Sequence, residues 1–141
     1  MLARKRNFMF RAYKYVYYRI YDWNLRTWGQ KDRPHDNAVL AVAMLTLFNL
    51  FSVFAILQIL TDIDFLSIGS LPVEYLAIFV IAHMSLHYLL LFYKKRYKQI
   101  IAEFSQESKE DYKRGTVWVL VYIIGSPLLL IASVLLTSYF R

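Results

Sequence analysis

The stretch 71-LPVEYLAIFVIAHMSLHYLLLFYKKRYKQIIAEF-104 decides the fold, because it is a long apolar run that ends in a basic cluster. Between Pro72 and Tyr93 it holds 22 residues, and Glu74 is the only formal charge among them. A helix rises about 1.5 Å per residue, so this length can cross the ~30 Å hydrocarbon core of a bilayer. The segment therefore predicts a membrane-spanning helix. The basic cluster that ends it consists of Lys94, Lys95, Arg96 and Lys98.

Two further apolar segments are long enough to span, and 58% of the 141 residues are hydrophobic. Little sequence remains to cover their outer faces, so the pattern excludes a water-soluble core and predicts an all-α integral membrane protein. The predicted organisation is a cytoplasmic basic amphipathic helix and linker (1–36), transmembrane helix 1 (37–60), an outward-facing acidic loop (61–71), transmembrane helix 2 (72–93), a cytoplasmic basic helix or loop (94–114), transmembrane helix 3 (115–139) and an outward-facing C-terminus (140–141).

The orientation follows from the charges that flank the spans. Residues 1–36 hold nine Lys and Arg against three Asp, and residues 94–114 hold seven against four acids. The first loop has Asp62 and Asp64 and no base. By the positive-inside rule, the N-terminus and residues 94–114 are predicted to be cytoplasmic and the C-terminus to face outward. The chain's size and short loops are typical of a bacterial inner membrane.

The N-terminal segment 8–28 has helical periodicity. Aromatic and apolar residues gather on one side of the predicted helix, including Tyr13, Tyr17, Trp23 and Trp28, and basic residues such as Arg19 on the other. This is the composition of an amphipathic helix in the membrane interface, anchored by its rings and attracted to anionic lipid. The alternative is a basic helix packed on the protein's own cytoplasmic loop. Nucleic acid is excluded as a partner, because a surface that stacks nucleobases would alternate aromatic with basic residues. Here the aromatic residues lie on one face of the helix and the basic residues on the other.

The second span is predicted to extend beyond the membrane, and the third to be kinked. Tyr97, Ile100 and Phe104 recur at helical spacing, so the second span is predicted to extend into the cytoplasm as a helix, which packs on the N-terminal helix or offers a partner surface. The third span is interrupted by Gly125-Ser126-Pro127, and Pro127 predicts a kink because proline lacks the backbone donor of a helix interior.

Polar side chains near mid-membrane are the candidate site. With spans two and three laid antiparallel to their neighbours, one layer contains Asn49, His83 and Ser126, and a second layer, about one turn nearer the cytoplasm, contains Thr46, His87 and Tyr122. Such a polar mid-membrane seam marks either an ion path or neutral hydrogen bonding between helices. The second interpretation is preferred, because no buried acid accompanies the histidines.

The histidines also raise the question of metal chemistry, since His83 and His87 lie one helical turn apart. The chain has no cysteine, which excludes thiolate metal sites. It has three histidines, which are too few for the ligands of a membrane di-iron desaturase. Bis-histidine haem ligation requires two copies of His83 across a homodimer. We predict no metal, no cofactor and no catalytic residue, since the sequence has neither a phosphate-binding loop nor a nucleophile elbow.

In outline the chain resembles the bacterial diacylglycerol kinases, which also have an interfacial amphipathic helix followed by three spans in the same orientation. That family carries acidic residues and an Asn for metal and ATP near the cytoplasmic end of the second span. Here the corresponding stretch, 84-MSLHYLLLFYKKRYKQ-99, is basic and has no carboxylate before Glu103. The resemblance therefore implies the architecture and not the activity.

The sequence thus predicts a non-catalytic small polytopic membrane protein. It assembles, as a homo-oligomer or as the membrane subunit of a complex, through its polar seam and its cytoplasmic basic helices. One alternative is an oligomeric pore or membrane-perturbing effector gated from the cytoplasmic side. The other is a small lipid-modifying enzyme of diacylglycerol-kinase-like architecture.

Overall fold

The computed structural model describes residues 2–61 and 72–140, with side chains from residue 8 onward, and every element in this part is helical. The helices are α1 (Leu2–Trp28), α2 (Pro34–Thr61), α3 (Val73–Phe92), α4 (Arg96–Phe104) and α5 (Lys109–Tyr139), with short 3₁₀ turns at Gln30–Asp32 and Tyr93–Lys95. Three stretches are long and apolar enough to cross a membrane: Pro34–Thr61, Val73–Phe104 and Lys109–Tyr139. The predicted all-α class with three potential spans is confirmed. Apart from their edges at Thr61 and Phe140, the predicted outward-facing loop and C-terminus lie outside the described residues.

Glycine and proline set the boundary between α1 and α2. Gly29 ends α1 with a φ of 78°, and its N–H donates to the carbonyl of Leu25 at 3.0 Å, as a helix C-cap does. α2 begins at Pro34, three residues before the predicted start. Proline suits the first turn of a helix, because its φ is already helical and its missing N–H has no partner there.

The predicted cytoplasmic extension of the second span is a separate helix. α3 ends at Phe92, and Lys94 and Lys95 follow in the left-handed region, with φ of 53° and 56°. A right-handed helix cannot continue through two such residues. The chain becomes helical again at Arg96 as α4.

α5 starts earlier than predicted and continues through its proline. Ser108 precedes the helix, and its Oγ accepts the Asp111 N–H at 3.1 Å and donates to the Asp111 carboxylate at 2.8 Å. This pairing caps the N-terminus, so Lys109 to Arg114, predicted to precede the third span, belong to the same helix. Pro127 lies inside α5, and the kink at that position stays a prediction.

The chain divides into two compact units, formed by the described residues of Met1–Val42 with His87–Val119 (the first unit) and of Ala43–Leu86 with Leu120–Arg141 (the second unit). In the first unit α1 packs on α4, where the Phe104 ring lies 5.1 Å from the Tyr15 ring and 5.7 Å from the Tyr18 ring. All five residues from Tyr17 to Tyr21 are buried. Five consecutive helical residues cover every direction around the axis, so the middle of α1 is enclosed by the chain.

The second unit packs α2 through small residues. Ser52 and Ala55 on α2 are fully buried, and Ser126, Ser133 and Thr137 on α5 are at most 7% exposed. The Thr137 hydroxyl lies 3.3 Å from the Ala55 carbonyl oxygen. Small side chains allow two helix backbones to approach closely, which is how helices gain contact in lipid. The spacing of seven and four residues between Ser126, Ser133 and Thr137 is the signal in the sequence for this packing face.

Candidate functional site

His83 on α3 and Thr46 on α2 are brought together in the second unit. His83 Nε2 lies 3.1 Å from Thr46 Oγ1 and 3.0 Å from the carbonyl oxygen of Ala43. The hydroxyl can donate to an unprotonated Nε2, and the carbonyl can accept from a protonated one. Nε2 of a neutral imidazole therefore has a partner in either tautomer. The ring also stacks on Phe79 at 6.3 Å.

Asn49 and Tyr122 form the second polar pair of this unit. Asn49 Nδ2 donates to the Tyr122 hydroxyl at 2.8 Å and joins α2 to α5. Ser126 is buried, but its hydroxyl donates to the Tyr122 carbonyl of its own helix at 2.9 Å. The helix rise predicts Asn49 at the depth of His83 and Ser126, with Thr46 and Tyr122 about one turn nearer the cytoplasm. In the structure Asn49 contacts Tyr122, and His83 contacts Thr46, so each contact joins one residue from each predicted layer. The predicted depths used the backbone rise alone, and a long side chain such as that of tyrosine can reach across the ~5.4 Å of one helical turn.

His87 belongs to the first unit, with a partner that the sequence analysis did not name. The Tyr13 hydroxyl lies 2.8 Å from His87 Nδ1, and the two rings are 5.7 Å apart. His87 is 6% exposed, so α1 covers it. Across residues 2–61 and 72–140, no group of three or more His, Cys, Asp or Glu side chains could hold a metal ion.

Arg19, predicted on the solvent side of α1, is instead the buried centre of the first unit. It donates from Nη1 to the Glu107 carboxylate at 3.1 Å, and from Nη2 to the Tyr112 carbonyl at 2.7 Å and to the Thr116 hydroxyl. Its guanidinium carbon lies 3.4 Å from the centre of the Tyr112 ring. The Arg19 side chain is 5% exposed and that of Glu107 14%. This ion pair ties α1 to the turn before α5 and to the first turns of α5.

Tyr15 shares Glu107 with Arg19. Its hydroxyl donates to the carboxylate at 2.9 Å, and burial together with this hydrogen bond raises the pKa of Tyr15 to about 12. The ring lies directly against Gly115 on α5, where a β-carbon would overlap the phenol. An alanine at this crossing of α1 and α5 would therefore force the Tyr15 side chain to move.

His35, the second residue of α2, is half-buried among aromatic rings. Its Nδ1 lies 2.9 Å from the Tyr17 hydroxyl, its ring stacks on Tyr21 at 4.3 Å, and the edge of Tyr97 meets it at 4.6 Å. Burial raises the pKa of Tyr17, which keeps the phenol protonated. His35 thus connects the start of α2 to α1 and α4.

The predicted membrane anchors of α1 separate into two pairs. Trp23 and Trp28 are exposed, at 58% and 61%, whereas Tyr17 is fully buried and Tyr13 contacts His87. The two tyrosines therefore face the chain, and the enclosed middle of α1 matches the alternative of a helix packed on the protein itself. In the basic cluster, Lys94, Lys95 and Lys98 are exposed and Arg96 is half-buried.

The contacts above place polar side chains in pairs between helices and bury one ion pair in the first unit. No family model matches the chain. The comparisons with curated proteins and with solved structures likewise found no match.

Proposed function

We propose that the chain is a non-catalytic membrane protein that assembles in the bilayer, with its own copies or as the membrane subunit of a complex. One observation carries this proposal: among the three spans, α3 is the one that the described residues cover least. In an apolar 18-residue window of that span 11% of the residues are buried, against 17% for α5 and 39% for α2. Residues 73–86 are all exposed or half-buried.

The polar seam has a different role in this proposal than the one inferred from sequence. Thr46, His83, Asn49 and Tyr122 have partners within the chain, so their hydrogen bonds hold its own helices together. Each bond of this kind contributes about 0.6 kcal/mol in a membrane protein. Assembly then uses the outer face of α3, defined here as Ile78, Ala82 and Ser85, which lie about 100–160° around the helix from His83.

Small residues on this outer face of α3 favour contact with another helix. Ala82 and Ser85 are both exposed, and small side chains let a neighbouring helix approach closely enough for van der Waals packing. Lipid tails are as apolar as this surface, so packing and not hydrophobicity would stabilise the association.

The membrane orientation belongs to the same proposal. The excess of Lys and Arg in residues 1–36 and 94–114 supports a cytoplasmic location for both segments and an outward-facing C-terminus. The exposed Trp23 and Trp28 support an interfacial position for the end of α1, next to anionic lipid. A bacterial inner membrane suits the short connections between the helices.

Energy transfer between labelled copies in liposomes tests the assembly. We expect transfer in the wild type that persists on dilution into excess lipid, and a loss of transfer in Ala82→Leu, which adds bulk to the outer face of α3. Ala132→Leu is the matched control, because it makes the same change at an exposed alanine of α5. A wild type that shows no transfer and that crosslinks to no other protein in cells would overturn the proposal.

A further inference from the structure

A groove in the first unit lies between α1, the turn after α4 and the first turns of α5. Its volume of about 570 Å³ is within the ~300–1,000 Å³ typical of small-molecule sites. Phe8, Phe104 and Trp118 supply aromatic walls, and Arg11 and Arg114 supply positive charge. The groove therefore combines an apolar lining with two guanidinium groups.

The carboxylates that line the groove already have partners. Their bonds are Glu103 with Lys14 Nζ at 2.6 Å, Glu107 with Arg19 Nη1 at 3.1 Å, and Asp111 with Ser108 Oγ at 2.8 Å. Two of these acids are thus neutralised by cations other than the groove's own arginines. The third, Asp111, keeps its negative charge, so the two arginines of the groove face one carboxylate that no cation neutralises.

The two arginines of the groove remain available to a ligand. The Arg11 side chain is 70% exposed, and its Nε lies 3.8 Å from Glu103, which Lys14 holds more closely. Arg114 is exposed and makes no ion pair with any residue that the structure describes. Guanidinium groups bind phosphate through paired hydrogen bonds, so the groove is complementary to a phosphate.

The position of the groove along α5 indicates where such a phosphate comes from. Arg114 is the last charged residue of α5, and residues 115–140 carry no formal charge. Trp118, one turn further on, is 69% exposed, and tryptophan prefers the depth of the lipid headgroups. The groove thus opens where α5 changes from charged to apolar.

We propose that this groove binds one anionic membrane phospholipid, with Arg11 and Arg114 holding the phosphate and Trp118 lying along the acyl chain. Inorganic phosphate and glycerol phosphate have no apolar part to cover Trp118. The inference goes beyond the proposed assembly and depends only on the membrane location. Failure of lipid binding therefore leaves the energy-transfer test unaffected, and failure of assembly leaves this site unaffected.

Tryptophan quenching tests the site in a protein that keeps both arginines. The chain has three tryptophans, and replacing the exposed Trp23 and Trp28 by Phe leaves Trp118 as the only tryptophan, which can be excited without the tyrosines. The probes are phosphatidylglycerol and phosphatidylcholine brominated on their acyl chains, each added at low mole fraction to phosphatidylcholine vesicles. Each basic residue near a membrane surface contributes about a fivefold preference for anionic lipid, so we expect half-quenching by phosphatidylglycerol at about 25-fold lower mole fraction. Equal quenching by both lipids would overturn the proposal.

Charge variants then separate a built site from general attraction. Arg11→Gln and Arg114→Gln should each reduce the preference about fivefold. Lys113→Gln is the matched control, because Lys113 is the neighbouring cation on α5 and does not line the groove. An equal loss in Lys113→Gln would contradict the site. So would displacement of the lipid by glycerol phosphate at the same concentration, which would assign the groove to a soluble phosphate.

Discussion

Replacing Arg19 by Met should release α1 from the rest of the first unit. The change removes the cation that pairs with Glu107 at 3.1 Å, and it removes donors from the Tyr112 carbonyl and the Thr116 hydroxyl. Methionine keeps most of the side-chain volume, so the effect reports on charge and hydrogen bonding and not on a cavity. What remains is a carboxylate, 14% exposed, without its cation.

Breaking a buried ion pair by removing one partner costs about 3–5 kcal/mol, because the remaining charge stays desolvated. Glu107 keeps the Tyr15 hydroxyl at 2.9 Å, so we expect about 3 kcal/mol, the low end of that range. This corresponds to a factor of about 100 in the equilibrium for opening α1. Adding Glu107→Gln removes the unpaired charge and should recover more than about 1 kcal/mol of the loss.

Hydrogen exchange of α1 amides, followed by mass spectrometry in lipid nanodiscs, measures this opening. Arg11→Met is the control, because Arg11 is on the same helix and is 70% exposed, and its partner Glu103 is 38% exposed and keeps Lys14. Such a surface pair contributes about 0.5 kcal/mol or less, so exchange in the control should increase less than threefold. If Arg19→Met raises exchange in α1 by less than tenfold, or if adding Glu107→Gln restores nothing, the buried pair does not hold α1.

Three further predictions follow from single contacts. Tyr122→Phe should lower the free energy of unfolding in mixed micelles by about 0.6 kcal/mol, and Asn49→Leu should add almost nothing in that background, because the two residues share one bond. Gly115→Ala should lower the free energy of opening α1 by about 1–3 kcal/mol, because the new methyl group overpacks against Tyr15. The double variant Gly115→Ala with Tyr15→Ala should lower it by less than the sum of the two single changes, as measured by hydrogen exchange in α1. Because the fold raises the pKa of Tyr15 from 10.0 to about 12, its contribution to stability is complete below pH 10 and is lost as the pH rises towards 12. The ultraviolet titration of wild type minus Tyr15→Phe should therefore show one tyrosinate forming near pH 12, and a midpoint near pH 10 would contradict this.

The sequence determines the helices of this chain better than it determines their partners. Each span could be located because charge and hydropathy change within a few residues at its ends. The early start of α5 was also readable, since Ser108 and Asp111 have the spacing of a capping pair before a helix. The left-handed Lys94 and Lys95 had no such signal, because lysine has no preference for that conformation.

The buried contacts of α1 were not readable from periodicity. A helical wheel places Arg19 among the solvent-facing bases, and its partner Glu107 is 88 residues away in the sequence. The same limit applies to His87, whose partner Tyr13 is 74 residues away. A charge or an imidazole looks alike in the sequence whether it faces water or a partner on another helix.

Disulfide crosslinking between copies in native membranes tests most directly the claim that the outer face of α3 is the assembly surface. The chain has no cysteine, so single cysteines placed along residues 76–86 report on α3 alone. We predict crosslinked dimers with helical periodicity, strong at positions 78, 82 and 85 and weak at the opposite positions 80, 83 and 84. No crosslink at any position, or equal crosslinking along the whole stretch, would contradict this account.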